Sequence, residues 1–328
     1  MRYVEVGSAT GGTVRISAIG LGTWQFGSGE WGYGADYASR EAPAIVERAL
    51  DLGINLVDTA EAYGFGRSER IVGAALGARR DEAFIATKLL PILPIAPVTE
   101  QRARASAERL GVSAIDLYQV HWPNPLVPIS MQMEGLRRLL DAGVVRFGGV
   151  SNFGATGWAA ADRALGAPLL SNQVRYSLVH RAPERAVLGF AQANDRIVIA
   201  YSPLGQGVLS GRYGIDRAPT GRARRVNPVF LPENLAAVEP LLAALREIGA
   251  AHGATPAQVA LAWLIRRPNV VAIPGASSVA QLEANAAAAE LELTDDEDAR
   301  LDGASDAYEP VTGPAAAVPM VRHLLRRS

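Results

Sequence analysis

The chain has no cysteine. That excludes disulfides, a thiolate nucleophile and any metal centre built on cysteine. Lysine is almost absent too: of 32 Lys and Arg residues, only Lys88 is a lysine. Aromatic residues are sparse, at 6% of 328 positions. No apolar run approaches the roughly 18 residues that a membrane-spanning helix requires. A formal net charge of −1 leaves no field of one sign, which argues against nucleic acid or an acidic membrane surface as partner. The opening run Met1-Arg2-Tyr3-Val4-Glu5-Val6 lacks the charged start and apolar stretch of a secretory signal, so a cytoplasmic location is expected. No heptad or exposed apolar stripe marks a subunit interface, and no metal site is expected.

Against this background Lys88 stands out. Arginine replaces lysine freely on a solvated surface, because both carry a positive charge there. It cannot do so where a slim, titratable ammonium is needed. Lys88 also ends the apolar run Ala83–Thr87, which reads as a buried strand. On this fact alone it is a catalytic group, half of a structural ion pair or a lysine that survived by chance.

Short apolar runs alternate with longer helical patterns along the chain. Val4–Val6 and Val14–Ile16, joined through Gly11-Gly12, predict a small hairpin. Eight candidate strands follow: Ile19–Gly22, Asn55–Asp58, Phe84–Thr87, Asp116–His121, Arg146–Val150, Leu170–Gln173, Val198–Tyr201 and Val270–Ile273. Helical periodicity falls between them, for example over Ala44–Leu52, Ser68–Leu76, Glu100–Leu110, Met131–Ala142, Pro183–Ala193 and Ser278–Ala289. Eight strand–helix units in a chain of this length predict an α/β fold of the (β/α)8 TIM-barrel type, as one domain over residues 1–328. The N-terminal hairpin, a long Gly/Pro/Arg loop after the seventh strand (Pro203–Pro232) and a C-terminal tail are additions to it. A doubly wound open sheet is the competing architecture, but no strand leads into a G-x-G-x-x-G turn.

In a barrel the chemistry sits where strands end. Those ends carry Asp58, Lys88, His121, Ser151-Asn152, Gln173, Tyr201-Ser202 and Pro274-Gly275. Three successive ends bearing titratable groups suggest a hydrogen-bonded site. Asp58 can neutralise Lys88. A cation beside a phenol lowers the phenol's pKa, which would make Tyr63, five residues beyond Asp58, a usable general acid. Glu61 is a rival acid, more simply read as a solvated loop residue. His121, at the rim with Lys88, would donate to a substrate oxygen.

These segments together resemble the aldo-keto reductases. The resemblance spans nearly the whole chain and rests on Gly20-Leu21-Gly22-Thr23-Trp24, Asp58–Gly64, Ala86-Thr87-Lys88, Asp116–Trp122, Gly149–Phe153, Gln173, Tyr201–Gly205 and Ile273-Pro274-Gly275. It is strongest to the bacterial branch related to pyridoxal-type reductases and potassium-channel β subunits. It implies reversible reduction of an aldehyde or ketone by hydride from a nicotinamide, with a tetrad of Asp58, Tyr63, Lys88 and His121 supplying and steering the proton. It further implies a nicotinamide carboxamide held by Ser151, Asn152 and Gln173, with Tyr201 stacked on the ring and Gly22, Thr23 and Trp24 beside it. The pyrophosphate would run along Ser202, Pro203, Leu204, Gly205, Gly207 and Leu209. The adenosine end would meet Gly275, Ser277, Gln281 and Asn285.

Many family members carry Lys after the proline and Arg near the later position, where this chain has Gly275 and Gln281. The resemblance still implies NADPH, with NADH the alternative. Arg212, Arg217 or the Arg222–Arg225 cluster could supply the missing charge. Trp24, Trp31, Tyr33 and Trp122 are candidates to line the pocket of a small carbonyl substrate. Two other readings stay open: a barrel enzyme using Lys88 as a Schiff-base nucleophile, and a non-catalytic NADPH-binding module.

Overall fold

The computed structural model describes residues 1–7, 12–27, 37–215, 217, 219, 224 and 226–325. Among these, eight parallel strands follow one another round a sheet in chain order: β3 (Leu21–Gly22), β4 (Leu56–Asp58), β5 (Phe84–Leu89), β6 (Ile115–Val120), β7 (Val145–Ser151), β8 (Ser171–Arg175), β9 (Ile197–Tyr201) and β10 (Val270–Ala272). Parallel bridges Ile19–Ala272 and Gly22–Gly275 join the last strand to the first and close the barrel. The predicted first strand Ile19–Gly22 is therefore split. Only Leu21–Gly22 pairs with β4, while Ile19 and Gly22 reach across to the other side of the seam. Gly22 is required there, because a Cβ would stand 2.7 Å from the Ile273 carbonyl oxygen.

The hairpin is present as β1 (Tyr3–Gly7) and β2 (Thr13–Ser17), in antiparallel register. Its Val6, Val14 and Ile16 are buried with Leu56, Ala86, Leu117, Ile199 and Val271 from the strands. They plug the N-terminal end of the barrel, which leaves the other end to carry the opening.

Helices cover the outside, and one of them explains a limit of pattern reading. Pro256–Ile265 shows no amphipathic stripe, because every residue from Val259 to Ile265 is buried. It lies between the barrel and the helix Glu239–His252, so it needs no polar face. The predicted helix Pro183–Ala193 breaks at Ala186 (φ −155°, ψ −37°) into a 3-10 turn and a shorter α-helix.

Along each strand alternate residues face the interior, and the row changes character toward the C-terminal end. Leu56 is followed inward by Asp58, Ala86 by Lys88, Leu117 by Gln119 and Ile199 by Tyr201. The apolar layer packs the barrel and the polar layer above it lines the site. No described helix is long and apolar enough to cross a membrane.

Candidate active site

Lys88 lies on β5 with its side chain fully buried. Its Nζ donates to Asp58 Oδ1 at 2.6 Å, to the Thr59 carbonyl at 2.8 Å and to Tyr63 Oη at 3.1 Å. Three acceptors satisfy all three ammonium protons. The second carboxylate oxygen of Asp58 accepts from Gln173 Nε2 at 2.7 Å. Burial raises the Asp58 carboxyl above its ordinary value, while Lys88, Gln173 and Gln119 act to lower it. Burial also works to lower Lys88, but Asp58 and Tyr63 hold the ammonium above lysine's ordinary value. The compact three-acceptor geometry makes an ion pair the form in which this couple rests at neutral pH.

Tyr63 departs from the expectation of a net-lowered phenol. Burial raises its pKa above the usual 10, Lys88 lowers it and Asp58 raises it, and the net direction is up. Lys88 thus offsets part of the cost of desolvating a phenolate rather than creating an acidic phenol. The consequence for chemistry is a hydroxyl that stays protonated through neutral pH. Its loop is held firmly. Tyr63 N donates to the Ala60 carbonyl, Ser68 N to the Tyr63 carbonyl, and Ser68 Oγ ties Thr23 to Thr59. Gly27 allows the approach, since a Cβ there would sit 2.4 Å from the Tyr63 carbonyl carbon.

His121 stands just beyond β6, edge-on to Tyr63 with centroids 6.1 Å apart, and stacked on Trp122 at 3.7 Å. Burial, with a smaller contribution from Lys88, pushes its pKa down to about 2. The imidazole is neutral at any physiological pH, and its Nδ1 finds no partner among the described residues. Glu61, the rival acid, is not solvated. It accepts from Leu90 N and from Arg102 Nε at 3.0 Å, and so braces the loop after β5.

Asp58, Tyr63 and His121 open onto a cavity of about 570 Å³, with Lys88 behind them. The same cavity is lined by Gly22, Thr23, Trp24, Trp122, Ser151, Asn152, Gln173, Tyr201, Ser202, Pro203, Leu204, Gly207, Gly275, Ser277 and Gln281. Three residues named from the resemblance stand back from it. Leu209 is fully buried in the core, Gly205 packs against Val179 and Val208, and Asn285 donates to the Gly275 carbonyl. Trp31 and Tyr33 lie outside the described residues, as do Arg222 and Arg225. Arg217 is absent from the lining, but Arg212 and Arg224 are part of it.

The polar residues along this wall are linked to one another. Tyr201 Oη donates to Asn152 Oδ1 at 3.0 Å, Asn152 Nδ2 donates to the His121 carbonyl and to Ser151 Oγ, and Ser151 Oγ donates to the Gln173 carbonyl. Asn152, Ser202 and Gln206 all have positive φ (63°, 50° and 60°), so three of the six non-glycine residues with positive φ among the described residues lie on the cavity wall. Gln25 and Gln206 line the cavity and were not singled out from sequence. Gln25 donates to the Ala276 carbonyl and fills the space that a side chain at position 275 would need, 2.5 Å from an added Cβ. Only its position directly after Trp24 could have hinted at this. At the far end Gln281 Oε1 accepts from both Ser277 N and Ser277 Oγ at 2.8 Å, which shapes the entrance to the helix Val279–Ala287.

A family model described as the aldo/keto reductase family matches residues 18–306. An uncharacterized oxidoreductase of Mycobacterium tuberculosis is 52% identical over 327 residues, covering 100% of both chains. The solved structure of a glycerol dehydrogenase from Gluconobacter oxydans superposes with a TM-score of 0.84 at 29% identity, over 95% of this chain and 98% of that one. An aldo-keto reductase from Klebsiella pneumoniae, solved with NADPH, gives a TM-score of 0.74 at 30% identity, over 94% and 96% of the two chains.

Proposed function

The chain belongs to the aldo/keto reductase family, and on that footing we propose that it reduces an aldehyde or ketone to the alcohol with NADPH, reversibly. The observation that carries the reading is the contact chain Asp58–Lys88–Tyr63, buried at the back and open to the cavity through the phenol.

The residues present fit the cofactor. Ser151, Asn152 and Gln173 bring amide and hydroxyl groups to one wall, Gly207 and Gly275 leave backbone accessible, and Arg212 and Arg224 add positive charge where no lysine is present. NADPH, when bound, supplies the hydride. The chain's own residues handle the proton. Tyr63 Oη gives its proton to the carbonyl oxygen as that oxygen gains negative charge. The Lys88 ammonium, 3.1 Å from Oη, stabilises the phenolate left behind, and Asp58 keeps the lysine charged and in place. Neutral His121 donates a ring N–H to the same oxygen and orients it. In the alcohol-oxidising direction each transfer reverses.

The Schiff-base alternative fares poorly against the geometry. A nucleophilic lysine needs a free lone pair, whereas Lys88 spends all three protons on acceptors and is held charged.

The test is NADPH oxidation, followed by its near-ultraviolet absorbance with a panel of aldehydes and ketones. Wild type turns over, and Tyr63→Phe loses about 10²- to 10⁴-fold in kcat, the usual contribution of a positioned general acid. A Tyr63→Phe variant at full rate would refute the mechanism. A strong preference for NADH would overturn the cofactor assignment alone.

A further inference from the structure

Two buried carboxylates that do not line the cavity have no part in the proton transfer described for Tyr63. Glu69 lies on the helix Arg67–Leu76 with its side chain fully buried, and Glu61 lies in the loop before it, also buried. They stand on either side of Tyr63 in the chain. Each divides its two oxygens in the same way. Glu69 Oε2 accepts from Arg109 Nε at 2.6 Å, and Oε1 accepts from Thr87 Oγ1 at 2.7 Å. Glu61 Oε2 accepts from Arg102 Nε at 3.0 Å, and Oε1 accepts from Leu90 N at 2.5 Å. One oxygen thus holds an arginine of the helix Ala96–Leu110, and the other holds the chain next to Lys88. Thr87 precedes Lys88 on β5, and Leu90 follows where the strand ends.

Several elements converge on this arrangement. Arg102 and Arg109 are about two helical turns apart and share one face of their helix. Gly66, at φ 79°, lets the Tyr63 loop pass over Arg109, whose Nε would stand 2.5 Å from an added Cβ. Tyr118, the Cα partner of Thr87 on β6, is buried, and its hydroxyl has no hydrogen-bond partner among the described residues. Burial, Glu61 and Glu69 push that phenol well above its ordinary value while Arg102 and Arg109 act to lower it, so all four charges gather near one ring. Buried ion pairs add little stability over apolar packing of similar volume. What they add is direction: a carboxylate with both oxygens engaged fixes the segments it joins.

We propose that Glu61 and Glu69 are positioning residues that set the 3.1 Å contact between Lys88 Nζ and Tyr63 Oη, by locking the Tyr63 loop to the chain on both sides of Lys88. The kinetic consequence rests on the carbonyl-reducing reading; the placement of Lys88 does not. Tyr63 and Lys88 come from different strand–helix units, and nothing in the local chain fixes their separation. That separation decides how strongly the ammonium stabilises a phenolate, because the attraction falls with distance. Two carboxylate bridges, one to the residue before Lys88 and one to the strand end after it, hold it against drift in either direction.

Lys88 is the chain's only lysine, so protein grown on lysine labelled with a magnetic nitrogen isotope at Nζ gives a single side-chain ammonium signal in nuclear magnetic resonance. Thr87→Val removes the hydroxyl that Glu69 holds at little change in side-chain size, and Thr87→Ser keeps it. Glu61→Gln keeps an acceptor for Leu90 N but loses the charge that holds Arg102. The signal is expected to move in Thr87→Val and Glu61→Gln and to stay at the wild-type position in Thr87→Ser. With an aldehyde and NADPH, kcat falls about tenfold in the first two and is restored in Thr87→Ser, while the Kd for NADPH is unchanged in all three. An unmoved signal in Thr87→Val and Glu61→Gln overturns the proposal, and so does a moved signal with normal kcat. A lower melting temperature without either change assigns the carboxylates to stability alone and overturns it as well. If wild type reduces no carbonyl, the proposed reaction fails, and the ammonium signal decides the positioning by itself.

Discussion

Lys88 is surrounded closely enough that its chemistry follows from its dimensions. One nitrogen meets three oxygens at 2.6–3.1 Å, with the lysine side chain fully buried. A guanidinium is wider and planar, and cannot converge on all three. Lys88→Arg is expected to lower kcat about 10²-fold through displacement of Tyr63, with near-normal affinity for NADPH by fluorescence titration. Normal kcat would mean that any cation suffices. His121 makes a different, pH-dependent contribution. Its folded pKa of about 2 lies below the ordinary 6.5, so below pH 6.5 the unfolded chain takes up a proton that the folded chain refuses. Stability therefore falls as pH drops, by about 2 kcal/mol between pH 7 and pH 5 from this residue. Urea unfolding of wild type and His121→Gln at the two pH values should show that share missing from the variant. An equal loss in both would place the neutral histidine in doubt.

Gln173 shows how much a residue's partners matter beyond its type. The family resemblance implies that it meets a nicotinamide carboxamide, and its Nε2 is engaged with Asp58. Reading the strand end could not reveal this, because Gln173 and Asp58 are 115 positions apart and meet only across the barrel.

At the scale of elements, the Tyr63 loop depends on glycines that let two backbones touch. Gly27→Ala would put a methyl 2.4 Å from the Tyr63 carbonyl carbon and 2.7 Å from Gly64 N. Neither neighbour is a flexible side chain, so the loop itself must move. We expect a stability loss of about 1–3 kcal/mol and a fall in kcat of about 10²-fold. A variant with the lower melting temperature and an unchanged kcat would show that Tyr63 is positioned by other contacts. The strands were legible for a related reason. Buried parallel strands are runs of apolar residues whatever their neighbours, so the eight predicted runs correspond to the eight strands with ends shifted by a residue or two. Pro256–Ile265 is buried on all faces, and its lack of a stripe hides it from periodicity.

The whole molecule is a barrel plugged at one end by the hairpin and open at the other. A ligand that enters a cavity formed by residues from Gly22 to Gln281 binds the folded chain alone. NADPH at 100 times its Kd should then stabilise the protein by about 2.7 kcal/mol, seen as a rise of several degrees in the calorimetric melting temperature. The shift should shrink in Arg212→Ala/Arg224→Ala. No shift with wild type would argue that the cavity does not hold the cofactor.

The sequence by itself determined the strand–helix alternation, the hairpin and the identity of the strand-end residues Asp58, Lys88, His121, Ser151, Asn152, Gln173 and Tyr201. It could do so because strand ends, apolar runs and rare residue types are local properties. Tertiary structure decided what those residues do to one another. Burial reversed the expected net shift of Tyr63, turned Glu61 from a solvated acid into a brace, withdrew Leu209 and Asn285 from the cavity and seated Gln25 where a side chain at 275 would lie. Desolvation and steric occupancy depend on atoms brought together from distant parts of the chain, and the closed barrel is what brings them together.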